Sequence, residues 1–371
     1  MNEKLKEKQN EVAEKLAEIF EQDTAKKPET KELQPDKILE MLNERKFDFP
    51  TPKERPEPSL KIGSHTLATK GNIMNIQAGV KAGKSAAMDA IMAAQFCGES
   101  MEIDSFGFTA MNEHGYGLIH IDTEQSQFDA DALVRRSIRR SGMTSPPSWL
   151  NSFALADLDI QVRRAGLPIL IEEAREQHGG VFAVLIDGIG DLITDPNDSD
   201  QSFRLVDELH QLAIKNDCVI ITALHENPNS DFGKTRGHLG SQLSRKAETN
   251  LRLIKDADGI TTIFTTNSRH CHIPRDQGFC FHWCDDKQMH VGFGDAQELK
   301  AKARRKKFVD EVLQIALKNQ GKYTKSQLKD VVMKHRVIKE RAAGNYIRKL
   351  EEEGGLVSHP RERFSFNFDM E

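Results

Sequence analysis

Residues 73–88 read IMNIQAGVKAGKSAAM, and this stretch decides the fold. The apolar run from Ile73 to Gln77 predicts a β-strand, and the alanines and methionine after Ser85 predict a helix. A loop with two glycines lies between them. When a strand, a loop and a helix follow in this order, the backbone N–H groups of the loop and of the first helical turn point to a common site. Proteins bind phosphate groups with this arrangement.

This loop predicts ATP and Mg²⁺ as ligands. The Lys84 ammonium would reach the β- and γ-phosphates, and the Ser85 hydroxyl would hold Mg²⁺. The first glycine of the usual motif is replaced by Ala78, with Gly79 displaced by one position, and an alanine fits there if its backbone is not left-handed. The predicted nucleotide-binding residues are Ala78, Gly79, Val80, Lys81, Ala82, Gly83, Lys84, Ser85 and Ala86.

Short apolar runs alternate with helical patterns from Gly71 to about Phe293. This alternation is typical of an α/β fold with a mainly parallel sheet and crossover helices. The predicted parallel strands are Ile73–Gln77, Gly117–Asp122, Val181–Asp187 and Val219–Ala223. After Thr249 an Asp-Gly turn predicts antiparallel strands that extend the sheet edge, namely Asn250–Lys255, Thr261–Thr265 and Phe279–Trp283.

Two acids follow predicted strands. Asp187 ends an apolar strand, the usual place for a carboxylate that holds Mg²⁺ beside a phosphate loop. Its neighbour is Gly188 rather than a glutamate. Glu124 follows the strand that ends at Asp122. A glutamate at this place resembles the pattern of the RecA, DnaB and KaiC group of ATPases, and the resemblance makes Glu124 the candidate general base that orients the attacking water.

From about residue 60 to 290 the chain resembles the RecA-like ATPase group that includes the plasmid RepA-type hexameric helicases. The resemblance is carried by residues 80–85, Ile121-Asp122-Thr123-Glu124, Ile186-Asp187-Gly188 with the polar loop 195–198, and Thr222-Ala223-Leu224-His225. It implies a RecA-like core, a homo-oligomeric ring, ATP hydrolysis between neighbouring subunits, and translocation on DNA.

The resemblance also assigns roles to further residues. His225 falls on the position that senses the γ-phosphate. The segment 234–241 resembles a mobile loop facing the ring channel, which makes Lys234, Arg236 and His238 the predicted contacts to single-stranded DNA. Arg269 is the predicted arginine finger that acts on a neighbouring subunit, and Arg275 is its rival.

Three regions are predicted along the chain: a helical N-terminal arm and linker (1–50), the RecA-like ATPase core (51–298) and a winged helix-turn-helix-like domain (299–371). The arm carries amphipathic spacing over residues 1–22 and a second short helix from Pro35. Residues 300–371 contain 18 Lys and Arg against 10 Asp and Glu, a net charge of +8 on a chain of net charge −5. Such a basic module is typical of nucleic-acid contact, although a solvated surface has the same composition.

The leading functional hypothesis is a ring-shaped DNA helicase in the replication of a plasmid, phage or mobile element. Two alternatives remain open: an ATP-controlled regulator or loader that binds duplex DNA through the C-terminal domain, and an ATPase that acts on protein partners. We expect a cytoplasmic protein, because the charged N-terminus lacks an apolar signal segment and the five cysteines show no disulfide framework. No apolar run is long enough to predict a membrane span.

Overall fold

The computed structural model describes residues 35–50, 56–96, 103–226, 237–295, 308–309 and 311–367. The chain divides into two compact units, Met1–Gly294 and Asp295–Glu371. The helix predicted after Pro35 is confirmed as α1 (Pro35–Asn43), which has no buried residue. The amphipathic segment 1–22 lies outside the described residues.

A nine-stranded sheet dominates the first unit, and the α/β prediction with a mainly parallel sheet is confirmed. The strand order is β12-β11-β10-β9-β3-β8-β7-β5-β6, and β2-β1-β4 form a separate small sheet. The strands are β1 (Pro58–Ile62), β2 (His65–Thr69), β3 (Ile73–Ala78), β4 (Phe108–Thr109), β5 (Gly117–Asp122), β6 (Leu150–Ala154), β7 (Val181–Asp187), β8 (Val219–His225), β9 (Thr249–Lys255), β10 (Thr261–Ser268), β11 (Phe279–Cys284) and β12 (Met289–Asp295).

One strand direction was predicted wrongly. The segment Asn250–Lys255, predicted to be antiparallel, belongs to β9, which pairs parallel to β3 and antiparallel only to β10. The chain reaches β9 from β8 through α6 (Gly237–Lys246), and a crossover helix returns the chain to the amino end of the sheet. The antiparallel extension therefore starts at β10, after the predicted turn at Gly259, whose φ is +82°.

Helices cover both faces of the sheet, because its central strands bury side chains on both sides. One core joins the sheet to α2 (Lys84–Phe96), α3 (Gln127–Arg140) and the small sheet. The other joins it to α4 (Ile160–His178), α5 (Ser199–Lys215) and α6. The two cores fix the sheet between helical layers.

Helix α2 is buried on all sides, which explains why its sequence is rich in small and apolar residues. Every residue from Ala86 to Gln95 is buried. The one acid among them, Asp89, accepts hydrogen bonds from Arg140 Nε at 2.9 Å and Arg136 Nε at 3.1 Å. A buried carboxylate needs such partners, and these two tie α3 to α2.

The second unit contains a helical segment over residues 311–318, α7 (Lys325–Arg336), α8 (Glu340–Glu352) and a hairpin of β13 (Leu356–His359) and β14 (Arg363–Phe366). Tyr323 forms a bridge with Phe364 and adds a short third strand position. The core of this unit buries Phe308, Val312, Ile315 and Ala316.

Helix α7 begins with a capping box between Thr324 and Gln327. Among the described residues, no helix combines the length and apolar character that a membrane crossing requires.

Candidate functional site

The predicted phosphate loop joins β3 to α2. Ala78 ends β3 fully buried, and its backbone does not adopt a positive φ, so an alanine fits where the usual motif has glycine. The turn that follows is closed by a hydrogen bond from Ala82 N to Gly79 O at 3.2 Å. Positive φ values occur at Lys81 (+59°) and Gly83 (+93°). The backbone of this loop is therefore sharply bent before the first turn of α2.

Strands β10 and β11 support the loop from beneath. Thr261 Oγ1 donates to Ala82 O at 3.1 Å. A Cβ atom at Gly83 would lie 2.7 Å from the Phe281 ring, so only glycine fits between the loop and this side chain. The antiparallel extension of the sheet thus holds the loop in shape.

The Lys84 ammonium is the centre of the site. It lies 2.8 Å from Glu124 Oε2, 3.1 Å from Asp187 Oδ1 and 3.3 Å from His225 Nε2. The side chain of Lys84 is only 6% exposed. Burial alone would lower the pKa of Lys84, but the charges of Asp187 and Glu124 outweigh burial and hold that pKa above its ordinary value. The site therefore presents a charged, nearly buried ammonium group.

Four separate segments bring these side chains together at the carboxyl edge of the parallel strands. Lys84 begins α2, Glu124 follows β5, Asp187 ends β7 and His225 ends β8. Ligands of open parallel sheets bind at this edge.

Asp187 and Ser85 are the residues of this site that could hold Mg²⁺. Ser85 Oγ donates to Asp187 Oδ2 at 3.3 Å. Asp187 is 1% exposed, and its Oδ1 atom, although close to Lys84, has no hydrogen-bond partner. A buried carboxylate oxygen with an unused lone pair beside a hydroxyl suits a hard cation, because Mg²⁺ takes one or two protein oxygens and completes its shell with water and phosphate.

Glu124 is held in place by the turn in which it lies. Asp122, fully buried, accepts hydrogen bonds from the backbone N–H groups of Glu124 at 3.0 Å and Gln125 at 2.8 Å. Thr123 Oγ1 donates to the Gly188 carbonyl at 2.7 Å. The turn after β5 is therefore fastened to the chain that leaves β7.

Gly188 provides the space in which Thr123 and Glu124 approach the chain after β7. Its φ is +95°, and a Cβ atom there would lie 2.6 Å from Glu124 Cγ and even closer to Thr123 Oγ1. Asp122, Thr123 and Gly188 are residues whose supporting roles the sequence analysis missed. The sequence signal for this close approach is the glycine directly after the strand-ending Asp187.

Glu124 is ionised in this arrangement. Burial alone would raise the pKa of Glu124, but the hydrogen bond from His225 and the charge of Lys84 lower it to about 2. His225 Nε2 lies 3.3 Å from Glu124 Oε2, and His225 Nδ1 is buried without a hydrogen-bond partner. His225 can therefore contact both the lysine and the carboxylate.

The other predicted residues lie elsewhere. Arg269 follows β10 at the amino edge of the sheet, where its backbone N–H donates to Glu248 O at 2.9 Å and its side chain is exposed. Arg275 is exposed in a 3₁₀ turn before β11. The prediction of a mobile loop over 234–241 is wrong for residues 237–241, which form the start of α6 with His238 exposed in its first turn. Lys234 and Arg236 lie outside the described residues.

The chain matches no family model and no curated protein.

Proposed function

We propose that this chain is a RecA-like P-loop ATPase that works in a ring of identical subunits and couples ATP hydrolysis to movement along single-stranded DNA. The observation that carries the proposal is the meeting of Lys84, Glu124, Asp187 and His225 beside the first turn of α2. A buried ammonium, a magnesium-competent carboxylate and an ionised carboxylate at a helix N-terminus are the groups that phosphoryl transfer to water requires.

In the proposed mechanism the ATP phosphates replace the carboxylates as partners of Lys84. This exchange leaves the Glu124 carboxylate free to orient a water molecule and to take its proton as the water oxygen attacks the γ-phosphorus. The bond from the γ-phosphorus to the bridging oxygen breaks in the same step, and ADP and phosphate are released. Ser85 and Asp187 would hold Mg²⁺, which supplies positive charge to the β- and γ-phosphates when bound. His225 would donate a hydrogen bond to the γ-phosphate side of the site.

The position of Arg269 supports hydrolysis between subunits. The six residues of β3 span roughly 20 Å, and Arg269 lies at the opposite end of the sheet from Lys84. An exposed arginine at that edge is unable to reach its own site but can reach the site of a neighbour.

The DNA part of the proposal rests on the segment 234–241, whose residues 237–241 form the start of α6. The described residues on either side of segment 227–236 are both anchored at the carboxyl edge. Glu226 N donates to Ala78 O at 2.9 Å, and Leu239 N donates to Pro196 O at 3.0 Å. Movement at the nucleotide site would therefore pass directly to the segment proposed to contact DNA.

We further propose that the second unit is a winged-helix-like domain. Three helical segments around one apolar core, followed by a hairpin that pairs with Tyr323, support this interpretation. An ATP-controlled regulator acting through this domain is the second candidate function, favoured by the exposed cations Arg341, Arg348 and Lys349 of α8.

Steady-state ATP hydrolysis with single-stranded DNA, duplex DNA or no DNA tests the proposal. We expect single-stranded DNA to stimulate hydrolysis, and light scattering to show that the protein is a multimer. The Lys84→Ala variant should not hydrolyse ATP. Stimulation by duplex alone would favour the regulator. No response to either DNA would overturn translocation and favour an ATPase that acts on proteins.

The variant Gly188→Ala is expected to lower hydrolysis by about 10²-fold, because a Cβ atom would push Glu124 out of position. The left-handed backbone at this residue should also cost about 1–2 kcal/mol of stability. Hydrolysis rates and thermal unfolding measure the two effects separately.

Gly190→Ala is the matched control for this variant, since its Cβ atom would meet only Leu224 Cδ1 at an ordinary 3.7 Å. Equal rates in the two variants would show that the gap at Gly188 has no part in placing Glu124.

A further inference from the structure

The exposed side chain of Arg269 is held at the amino edge of the sheet by contacts within its own chain. Its Nη2 atom donates to Lys246 O at 3.1 Å, and its Nη1 atom donates to Asn72 Oδ1 at 3.4 Å. Lys246 is the last residue of α6, and Asn72 directly precedes β3. The guanidinium group of Arg269 therefore has a defined position, although it faces solvent.

Both acceptors of the Arg269 guanidinium are neutral. One is a backbone carbonyl and the other is a side-chain amide. Within the part of the chain that the structure describes, no carboxylate forms an ion pair with Arg269. Its positive charge is thus left without a direct counterion among these residues.

The acids near Arg269 bind other partners. Glu248 is buried, and its carboxylate accepts hydrogen bonds from Thr69 N at 2.8 Å and Thr69 Oγ1 at 2.9 Å. The same carboxylate lies 3.1 Å from His270 Nε2. Asp207 lies 3.6 Å from the ammonium group of Lys246. These contacts keep both carboxylates away from the guanidinium group.

The orientation of the Asn72 amide is set by its neighbours. Its Nδ2 atom donates to Thr69 Oγ1 at 3.0 Å and to Lys70 O at 3.3 Å. Because the amide nitrogen is a donor and faces these two acceptors, the amide oxygen is the atom that faces Arg269. An aspartate would have a similar size, but it would offer the guanidinium group a negative charge.

A nearby histidine responds to the positive charge of Arg269. Burial lowers the pKa of His210, which lies on α5, and the charges of Lys246 and Arg269 lower this pKa further. Asp207 acts in the opposite direction. The charge of Arg269 therefore influences its surroundings, as expected for a guanidinium group that no carboxylate neutralises.

We propose that Asn72 is a positioning residue for Arg269, because its amide oxygen holds the guanidinium group without neutralising it and leaves the charge available to phosphates bound in a neighbouring subunit. This inference rests on the proposed hydrolysis between subunits. A carboxylate at position 72 would form a charge-assisted pair with the arginine and compete with the phosphate. The bond to a neutral amide is weaker, so a phosphate can replace it.

A purely structural role for Arg269 makes a different prediction. An arginine that donates to the last carbonyl of a helix stabilises the end of that helix, and Arg269 donates to Lys246 O at the end of α6. If this were its whole role, a change at Asn72 would affect only the chain that carries the change. The two roles are therefore separated by placing the same change in different subunits of one assembly.

The test mixes two chains that are inactive alone and measures ATP hydrolysis. The Lys84→Ala chain offers Arg269 but lacks a working site, and the Arg269→Ala chain has the site but offers no guanidinium group. We expect the mixture to recover activity. Adding Asn72→Asp to the Lys84→Ala chain should reduce the recovered rate by at least about tenfold, because the new carboxylate binds the guanidinium group. Adding it to the Arg269→Ala chain should keep the recovery.

Asn216→Asp is the matched control. Asn216 follows α5, and its Nδ2 atom donates to Leu212 O at 2.9 Å. The control therefore adds the same charge and also removes an amide-to-carbonyl hydrogen bond, but away from Arg269. It should leave the recovered rate unchanged in either chain.

Asn72→Ala provides a second variant, which removes the amide without adding a charge. In the Lys84→Ala chain it should reduce the recovered rate less than Asn72→Asp does, and in the Arg269→Ala chain it should keep the recovery. Equal losses from the aspartate and alanine variants would show that the neutrality of Asn72 has no part, and would overturn the proposal.

Two further outcomes would also overturn it. Equal losses from a change at Asn72 in the two chains would show that Asn72 only stabilises its own fold. An unchanged rate with Asn72→Asp in the Lys84→Ala chain would show that no carboxylate captures the arginine. By contrast, a mixture that recovers no activity with Asn72 unchanged would overturn hydrolysis between subunits, and this inference with it.

Discussion

Replacing Glu124 with glutamine is expected to lower ATP hydrolysis by about 10²–10⁴-fold while nucleotide binding remains. Glutamine keeps the size of the side chain and its fit beside Gly188, but the amide is unable to accept the proton of the attacking water. Because the pKa of Glu124 is about 2, the carboxylate is ionised at neutral pH in the wild-type chain. Hydrolysis and binding of a fluorescent ATP analogue, measured on the same preparation, separate the two effects.

The exposed residue Glu113 provides the control, since Glu113→Gln makes the same chemical change away from the site. A wild-type rate in Glu124→Gln would show that the base lies elsewhere. Asp191 would then be the next candidate, because its Oδ2 atom lies 3.3 Å from Thr123 Oγ1, and burial raises the pKa of its carboxyl above the usual value.

Arg269→Ala is expected to reduce hydrolysis in the assembled protein by at least about 10³-fold, the loss typical of an arginine finger. Each chain should still bind ATP, because Arg269 is at the opposite edge of the sheet from Lys84 in its own subunit. Arg275→Ala, which removes the rival cation, is the matched variant.

Mixing two inactive variants makes this test specific. A Lys84→Ala chain still offers Arg269, and an Arg269→Ala chain still offers Lys84, so interfaces in a mixed assembly regain one complete site. Recovery of hydrolysis on mixing is expected. If mixing restores no activity, the arginine does not act on a neighbouring subunit, and loss of activity only in Arg275→Ala would transfer the role to Arg275.

The main residues of the candidate site could be predicted from the sequence because each one ends or follows a buried strand. Asp187 and His225 are the last residues of apolar strands, and Lys84 follows a glycine-containing turn. Parallel strands bring such positions to one edge. What the sequence does not reveal is the hydrogen bonding between distant turns, such as Thr123 to Gly188, because either residue alone is compatible with many surroundings.

Part of the fold can likewise be predicted from the sequence, namely the strands at the centre of the sheet. Central strands were identified from their continuous apolar character, whereas β6 was missed because this edge strand, Leu150–Ala154, has no fully buried residue. The direction of β9 was wrong because apolar spacing defines a strand but not its partner. The small sheet of β1, β2 and β4 joins segments far apart in the chain, and its shortest strand has two residues.

The contacts that support the phosphate loop come from segments that are synthesised much later than the loop itself. Ala82 and Thr261 are 179 positions apart, and the Phe281 ring that packs against Gly83 comes later still. At synthesis rates of about 5–20 residues per second, these partners are synthesised on the order of 10–40 s after the loop. Contacts of such long range also slow folding. The loop therefore acquires its support only after nearly the whole first unit has been translated, and a nascent chain that ends before β10 lacks it.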